Sequence, residues 1–230
     1  MPIADDLQRW VQDTFTGDWE VQQTAGVPEA AGLRLNSNHV KDLQEATVLY
    51  ADLNGSTEMV MGMRWEFSAH IYKTFLRCAA DIIRDNGGTI TAYDGDRVMA
   101  VFAGPNKDRA AALCALKINH AVYYIIRPAI PRKWVATDFV LSHVVGIDTS
   151  QLRAARVGVH GVNDLVWIGR AANYAAKLTS WRGRPTRITA EVFNNLPLDV
   201  RFYNGQAIWV PEQWAERGIL TYSSNWTWTL

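Results

Sequence analysis

Thr47-Val48-Leu49-Tyr50-Ala51-Asp52-Leu53-Asn54-Gly55-Ser56-Thr57 is an apolar run that ends on a carboxylate and a turn of small residues. Thr47–Asp52 reads as a buried strand, since a short apolar run stopped by turn residues is what an interior strand requires. A second run, Gly87-Gly88-Thr89-Ile90-Thr91-Ala92-Tyr93-Asp94-Gly95-Asp96, continues into Arg97-Val98-Met99-Ala100-Val101-Phe102. Its Asp94-Gly95 step predicts a hairpin of strands Thr89–Tyr93 and Arg97–Phe102. Each run therefore carries an acid at its mouth, Asp52 and Asp96. A carboxylate there is costly unless a cation meets it. Two of them on neighbouring strands can share divalent ions, which lie about 3.5–4 Å apart in two-metal phosphoryl-transfer sites.

Between these runs, Ile71, Phe75, Ala79, Ile82 and Ile83 recur at helical spacing, and Asn86-Gly87-Gly88 ends the helix. After Gly104-Pro105-Asn106, a second helix shows Ala110, Cys114, Ile118, Ala121 and Ile125 on one face, and Pro128 and Pro131 are expected to close it. A strand over Phe139–Ile147, an extended pair over Leu152–Val159 and Leu165–Ile168, and a third helix over Arg170–Trp181 follow. The order is βαββαβ with an appended hairpin, which predicts an α+β sandwich with helices on one sheet face. Upstream, Leu7, Trp10 and Val11 make residues 4–15 an amphipathic helix, and Gly26, Pro28 and Gly32 punctuate a linker or wrap-around arm. From Pro185 onward, short strands and helices finish the sheet edge. Trp226 and Trp228 alternate on an expected final strand, packed at an edge or dimer surface.

Formal net charge is zero over 230 residues, with 48% hydrophobic and 20% charged side chains, the profile of a soluble globular protein. No charge excess points to a nucleic-acid partner. No apolar stretch spans a bilayer and no signal pattern opens the chain, so direct membrane contact is not expected and the cytoplasm is the expected location. Cys78 and Cys114 fall on apolar helix sides without a CxxC pair and read as buried reduced thiols. The five histidines form no HExxH pattern.

The turn Asn54-Gly55-Ser56-Thr57 lies between a strand and a helix, where backbone N–H groups can cradle phosphate. No Walker lysine accompanies it, so it is not a P-loop. An ordinary turn with Asn54 or Ser56 as helix cap accounts for it equally when it is taken alone. On the third helix Asn173 and Lys177 stand four residues apart and share a face. Their neighbours Ala171, Ala172, Ala175 and Ala176 are small, so that face can approach another surface closely.

Four segments in register resemble class III nucleotide cyclases. Tyr50-Ala51-Asp52-Leu53-Asn54-Gly55-Ser56-Thr57 is similar to their first metal motif and Asp94-Gly95-Asp96-Arg97-Val98-Met99-Ala100-Val101-Phe102 to their second. Val145-Gly146-Ile147-Asp148-Thr149 resembles the strand that opens their dimerisation arm. Ile168-Gly169-Arg170-Ala171-Ala172-Asn173-Tyr174-Ala175-Ala176-Lys177-Leu178 resembles their Asn/Arg helix. The matches run from about Glu45 to Ala190. The resemblance implies a ferredoxin-like cyclase catalytic domain with an extra hairpin arm over residues 41–230, preceded by a helix and linker arm over residues 1–40.

It also implies residue roles. Asp52 and Asp96, with the Leu53 carbonyl, would hold two divalent ions, Mn or Mg, that serve attack of a ribose 3′-hydroxyl on the α-phosphate and departure of pyrophosphate. Asn173 would orient the ribose and base. Lys177 stands where the family usually has Arg; it keeps the charge and loses the bidentate fork. In the family the aspartates and the Asn/Arg helix come from opposite subunits, so a homodimer acting on a ribonucleoside triphosphate is implied.

Departures from the family narrow the substrate. Purine cyclases commonly have a base-reading Lys where this chain has Ala92, and an Asp or Thr where it has Val166. Hydrogen-bond readout of that kind can be worth on the order of 10⁴-fold in discrimination. Tyr50, on the Asp52 side of its strand, adds bulk and a polar tip where Phe is commoner. Arg97 replaces a small residue and can reach a base or phosphate. Tyr50 as a core aromatic and Arg97 as an exposed strand charge remain alternatives. The pattern looks like the pyrimidine cyclases of bacterial anti-phage defence, which make cyclic UMP or cyclic CMP as an alarm signal for a separate effector, and it favours UTP. The rivals are a cytidylate cyclase, an adenylate or guanylate cyclase, and a catalytically inactive nucleotide-binding regulatory module.

Overall fold

The computed structural model describes residues 3–135, 137–159 and 162–230. Helix α1 (Ile3–Thr16) precedes strands β1 (Glu20–Gln23), β2 (His39–Asp42) and β3 (Ala46–Asn54). Helices α2 (Ser56–Gly62) and α3 (Trp65–Asp85) lead to the hairpin β4 (Thr89–Asp94) and β5 (Arg97–Phe102). Helix α4 (Lys107–Ala121) continues through a π-helical stretch, Val122–Ile126, into α5 (Arg127–Ala129) and then β6 (Ser142–Ser150). The hairpin β7 (Arg153–Val159) and β8 (Val162–Ile168) precedes α6 (Arg170–Leu178). Strand β9 (Thr186–Thr189), helices α7 (Ala190–Asn195) and α8 (Leu198–Arg201), and strands β10 (Phe202–Tyr203), β11 (Gln206–Ala207), β12 (Val210–Trp214) and β13 (Ile219–Ser224) complete the chain.

The main sheet has the order β12-β13-β9-β6-β3-β5-β4. Strand β3 lies between β6 and β5, antiparallel to both, while β6 and β9 run parallel. The βαββαβ core is therefore the one expected. Alternation along β3 separates two environments. Leu49, Ala51 and Leu53 join the large apolar cluster with Phe67, Ile71 and Phe75 of α3 and Leu116 and Ile118 of α4. Val48 and Tyr50 point the other way, toward Ala171, Ala172 and Ala175 of α6. Burying a Leu or Phe is worth about 1.5–3 kcal/mol. A one-residue slip of β3 would exchange that set for Tyr50 and Asp52, which fixes the register.

Helices thus cover both faces of the sheet, not one as expected. The reason is at Gly146 of β6: a Cβ there would come 2.2 Å from the Ala175 carbonyl oxygen and 2.9 Å from the Leu178 Cβ. Glycine on the strand and alanines on the helix let α6 seat directly on β6.

Several boundaries also differ from expectation. Pro128 does not end the second helical segment. The π-helical stretch precedes it, and Pro128 falls in the first turn of α5, where its missing N–H is not needed. Pro131 likewise opens a 3₁₀ turn, Ile130–Arg132. The strand expected from Phe139 begins at Ser142 and extends to Ser150, and the third helix stops at Leu178. Trp226 and Trp228 lie beyond the last strand and pack on their own core, with the Trp228 N–H donating to the Leu116 carbonyl.

The hairpin β7–β8 belongs to a second sheet of order β1-β2-β7-β8. The polar stretch after α1 supplies β1, and the Asn38 amide donates to the Thr14 and Gly17 carbonyls at the end of α1. Cys78 and Cys114 are free thiols, the first half-buried and the second buried, where desolvation pushes its pKa up. Among the described residues no helix is long and apolar enough to cross a membrane.

Candidate active site

Two strand ends and one turn build the site. Asp52 lies on the α6-facing side of β3, two residues before the strand ends at Asn54, and Asp96 sits in the β4–β5 turn beside it. The pairing of Tyr50 with Met99 and Ala51 with Val98 brings Asp52 level with Arg97. Burial raises the Asp52 pKa first and the negative charge of Asp96 raises it further; Arg97, a hydrogen bond from Thr179 and the Leu53 N–H act in the opposite direction. One Asp96 oxygen, Oδ2, is buried with no hydrogen-bond partner. Two close carboxylates, one with an orphaned oxygen, are a donor set that fits a hard divalent cation. Among the described residues no group of three or more His, Cys, Asp or Glu side chains gathers. Any such ion would complete its shell with backbone carbonyls, water and substrate oxygens, as Mg²⁺ commonly does.

Gly55, at φ +72°, turns the chain from β3 into α2 and is itself the N-cap, without a side-chain cap bond. Asn54 and Ser56 are therefore not caps; the Asn54 amide instead donates to the Ser142 hydroxyl at 3.3 Å. Leu53 buries its side chain in the core and can offer the site only its backbone. Thr57 is exposed at the start of α2.

Tyr50 and Arg97 meet on the same sheet face as Asp52, the guanidinium 5.5 Å from the ring centre. Arg97 also pairs with Asp94 at 2.9 Å, and its Nε is buried without a partner. Neither residue is an isolated feature: Tyr50 packs against the α6 cluster, and Arg97 is bounded by an aromatic ring and an acid. Ala92 packs against the same cluster, and Val166 is 42% exposed on β8.

Asn173 and Lys177 are not brought to the carboxylates. Both are exposed on α6; the Asn173 amide reaches back to the Gly169 carbonyl at 3.4 Å, and among the described residues no ion pair involves Lys177. The start of α6 is firmly anchored. Arg170 donates to both oxygens of Asp148 at 3.0 and 3.3 Å, to the Thr149 carbonyl at 2.7 Å and to Glu191 at 2.8 Å. The Ala171 N–H donates to the Ser150 hydroxyl at 2.9 Å. A groove of about 710 Å³ beside this anchor includes neither Asp52 nor Asp96, and its cations Arg153 and Arg170 are already paired with Asp42 and Asp148.

Two residues at the site were not identified from the sequence. Thr179, just past α6, donates to Asp52 Oδ2 at 3.4 Å. Tyr72 of α3 lies near Ser56 and both carboxylates; burial and then the charge of Asp96 raise its pKa, with Asp52 adding to the effect and Ser56 opposing it. Only a polar-tipped aromatic beside the Ile71–Phe75 stripe marked Tyr72, and no spacing ties either residue to Asp52.

No protein-family model matches the chain. It is 66% identical over 230 residues to a uridylate cyclase of Burkholderia cepacia, covering 100% of both chains. It is 46% identical over 231 aligned positions to a uridylate cyclase of Xanthomonas perforans, again covering 100% of both. Its fold is similar to the guanylate cyclase domain of RhGC from Catenaria anguillulae, solved in complex with GTP, with a TM-score of 0.65 and 16% identity over 80% of this chain and 97% of that one.

Proposed function

The chain belongs to the uridylate cyclases and has the class III nucleotide cyclase fold, and from that premise we propose that it converts UTP into 3′,5′-cyclic UMP and pyrophosphate. The observation that carries the reading is the meeting of Asp52 and Asp96 at adjacent strand ends, with an orphaned Asp96 oxygen, next to a turn of small residues.

Asp52, Asp96 and the Leu53 carbonyl would hold two divalent ions, Mn or Mg, which when bound lower the pKa of the ribose 3′-hydroxyl and neutralise the triphosphate. The Asn54-Gly55-Ser56-Thr57 turn receives the phosphates. Tyr50 and Arg97 bound the base end: the ring limits its size, and the guanidinium supplies a donor. Aliphatic Ala92 and Val166 leave a purine edge without partners, which disfavours ATP and GTP. Asn173 and Lys177 act from a second copy of the chain, Asn173 orienting the ribose and base and Lys177 balancing charge on the α-phosphoryl group. Their exposure, and their separation from the carboxylates within one chain, support that division. The 3′-oxygen bonds to the α-phosphorus in line as the bond to the pyrophosphate oxygen breaks. The resemblance to anti-phage pyrimidine cyclases supports a cytoplasmic alarm role, with the product read by a separate effector.

The test is incubation of the purified protein with an equal mixture of the four ribonucleoside triphosphates and Mn²⁺, with products identified by mass. Cyclic UMP is the expected main product; cyclic AMP in its place would overturn the assignment.

A further inference from the structure

We propose that the apolar cavity between α3 and the π-helical stretch binds a small amphipathic carboxylate, with its apolar body inside and its head on Lys133.

The cavity has a volume of about 320 Å³. Its floor is made of buried side chains: Ile71 of α3, Ile126 of the π-helical stretch and Ile130. Thr74, Ile125 and Ala129, all exposed, form the rim, and half-buried Cys78 lies in the wall. Water over such a lining finds few hydrogen-bond partners, so apolar atoms displace it favourably. Ligand cavities run from about 300 to 1,000 Å³. This one is at the small end, which suits a short chain or a single ring rather than a long acyl tail.

The polar groups select the head. Lys133 is the one charged side chain lining the cavity among the described residues; it is exposed, and its Nζ lies 5.7 Å from the Trp134 ring. Its charge is felt by Glu66, but that acid is bonded to Arg64 at 2.8 Å, and among the described residues no salt bridge holds Lys133. His70 Nδ1 accepts the Trp134 indole N–H at 3.3 Å, which leaves the proton of the neutral ring on Nε2 as a second donor. The Thr74 hydroxyl is already committed to the His70 carbonyl at 2.8 Å. The lining thus offers a cation and a neutral donor and contains no acid, the complement of a carboxylate.

An independent feature marks the same place. Turns of π-helix are rare and frequently occur at functional sites. Val122–Ile126 is the one such stretch among the described residues, and its Ile125 and Ile126 line this cavity. The cavity includes neither Asp52 nor Asp96 and shares no residue with the groove beside α6.

Alkylation of Cys78 by iodoacetamide in the full-length protein tests the assignment, with the labelled peptide measured by mass. Cys114 is fully buried and serves as the unreactive internal control. Octanoate, kept below its micelle-forming concentration, is expected to slow Cys78 labelling in a saturable way. Octan-1-ol, with the same body and no charge, should protect more weakly. Lys133→Ala should raise the half-protecting concentration of octanoate by about threefold to fivefold, the scale of one exposed charge pair, and leave that of octanol unchanged. Ala129→Trp, placed to fill the cavity, should label at a rate that octanoate no longer alters; Ala129→Leu replaces it if circular dichroism shows that it does not fold. Absence of protection by octanoate overturns the site. Equal protection by octanoate and octanol, or an octanoate response unchanged in Lys133→Ala, overturns the carboxylate assignment. Protection of Cys78 that grows with protein concentration in the absence of any additive would show a second copy covering this face, and overturns the proposal as well.

Discussion

The Arg97 guanidinium lies 5.5 Å from the centre of the Tyr50 ring, on the sheet face that also carries Asp52. Such a contact is worth about 0.5–2 kcal/mol, more as water is excluded. It holds the two groups proposed to bound the base in a fixed relation. Tyr50→Ala should lower the preference for UTP over ATP by on the order of tenfold, the scale on which pocket size discriminates. Arg97→Ala should lower turnover of UTP. Competition assays with mixed nucleotides check both; an unchanged product ratio in Tyr50→Ala would remove the ring from base selection.

The carboxylates give a sharper outcome. Asp52→Ala and Asp96→Ala should each lower turnover by more than about 10²-fold, since even outer-shell changes at metal sites cost 10–100-fold. Manganese binding, read by paramagnetic resonance, should weaken in parallel while circular dichroism is unchanged. In the metal-free protein the raised Asp52 pKa has a definite sign. The folded state holds that proton more tightly than the unfolded chain, so the associated stability is present at low pH and is lost as pH rises through the raised value. Asp52→Asn should therefore raise the metal-free melting temperature at neutral pH, by roughly 2–4 °C per kcal/mol relieved. A lower melting temperature would show that the ionised carboxylate is satisfied without metal.

Sharing of the site between chains has a quantitative signature. Asp52→Ala and Asn173→Ala chains, each expected to be inactive or nearly so alone, should form mixed dimers in which one site carries both lesions and the other neither. Equal mixing should recover about a quarter of the wild-type rate, because half the dimers are mixed and half their sites intact. No recovery after verified exchange would place the whole site in one chain.

His143 of β6 pairs with Leu53, lies 5.9 Å from the Phe75 ring, and has a buried Nε2 with no partner. Burial, helped by the charge of Arg127, pushes its pKa down to about 3. The unfolded chain takes up this proton near the ordinary value of about 6.5 and the folded state does not, so stability is full above that pH and falls as pH drops toward the depressed value. Urea unfolding between pH 6 and 4 should show this loss, at a limiting slope of about 1.4 kcal/mol per pH unit. His143→Leu should remove most of that slope; an unchanged slope would assign it to other groups.

Gly146→Ala brings a methyl group against the Ala175 carbonyl. Overpacking of this kind costs about 1–3 kcal/mol, and here the displaced element is the helix bearing Asn173 and Lys177. Activity should fall further than the melting temperature implies. A variant with wild-type kcat would mean that α6 tolerates the shift.

The parts of this molecule legible in its sequence are those fixed by short-range rules. Apolar runs stopped by turn residues and the Asp94-Gly95 turn gave β3, β4, β5 and the two carboxylates, and helical spacing gave α3 and α4. The face chosen by α6 depends on Gly146 of β6, two strands earlier in the chain, and nothing in the helix's own sequence marks that partner. Thr179 and Tyr72 reach Asp52 and Ser56 only through the tertiary fold. Pro128 misled because a proline stops a helix only where an N–H is needed, and the π-helical stretch removed that need.

The register of β3 also dictates an order of assembly. Ala51 pairs with Val98 on one side and Val145 on the other. As a chain leaves the ribosome, the first pairing becomes available well before the second, and shorter loops close at lower entropic cost. Asp52 and Asp96 can thus come together on a nascent chain whose α6 has not yet been made. The half of the site that would hold metal matures early, and α6, which the shared-site reading gives to a partner, is made later. On the shared-site reading, a chain still lacking α6 cannot complete the site of a second copy.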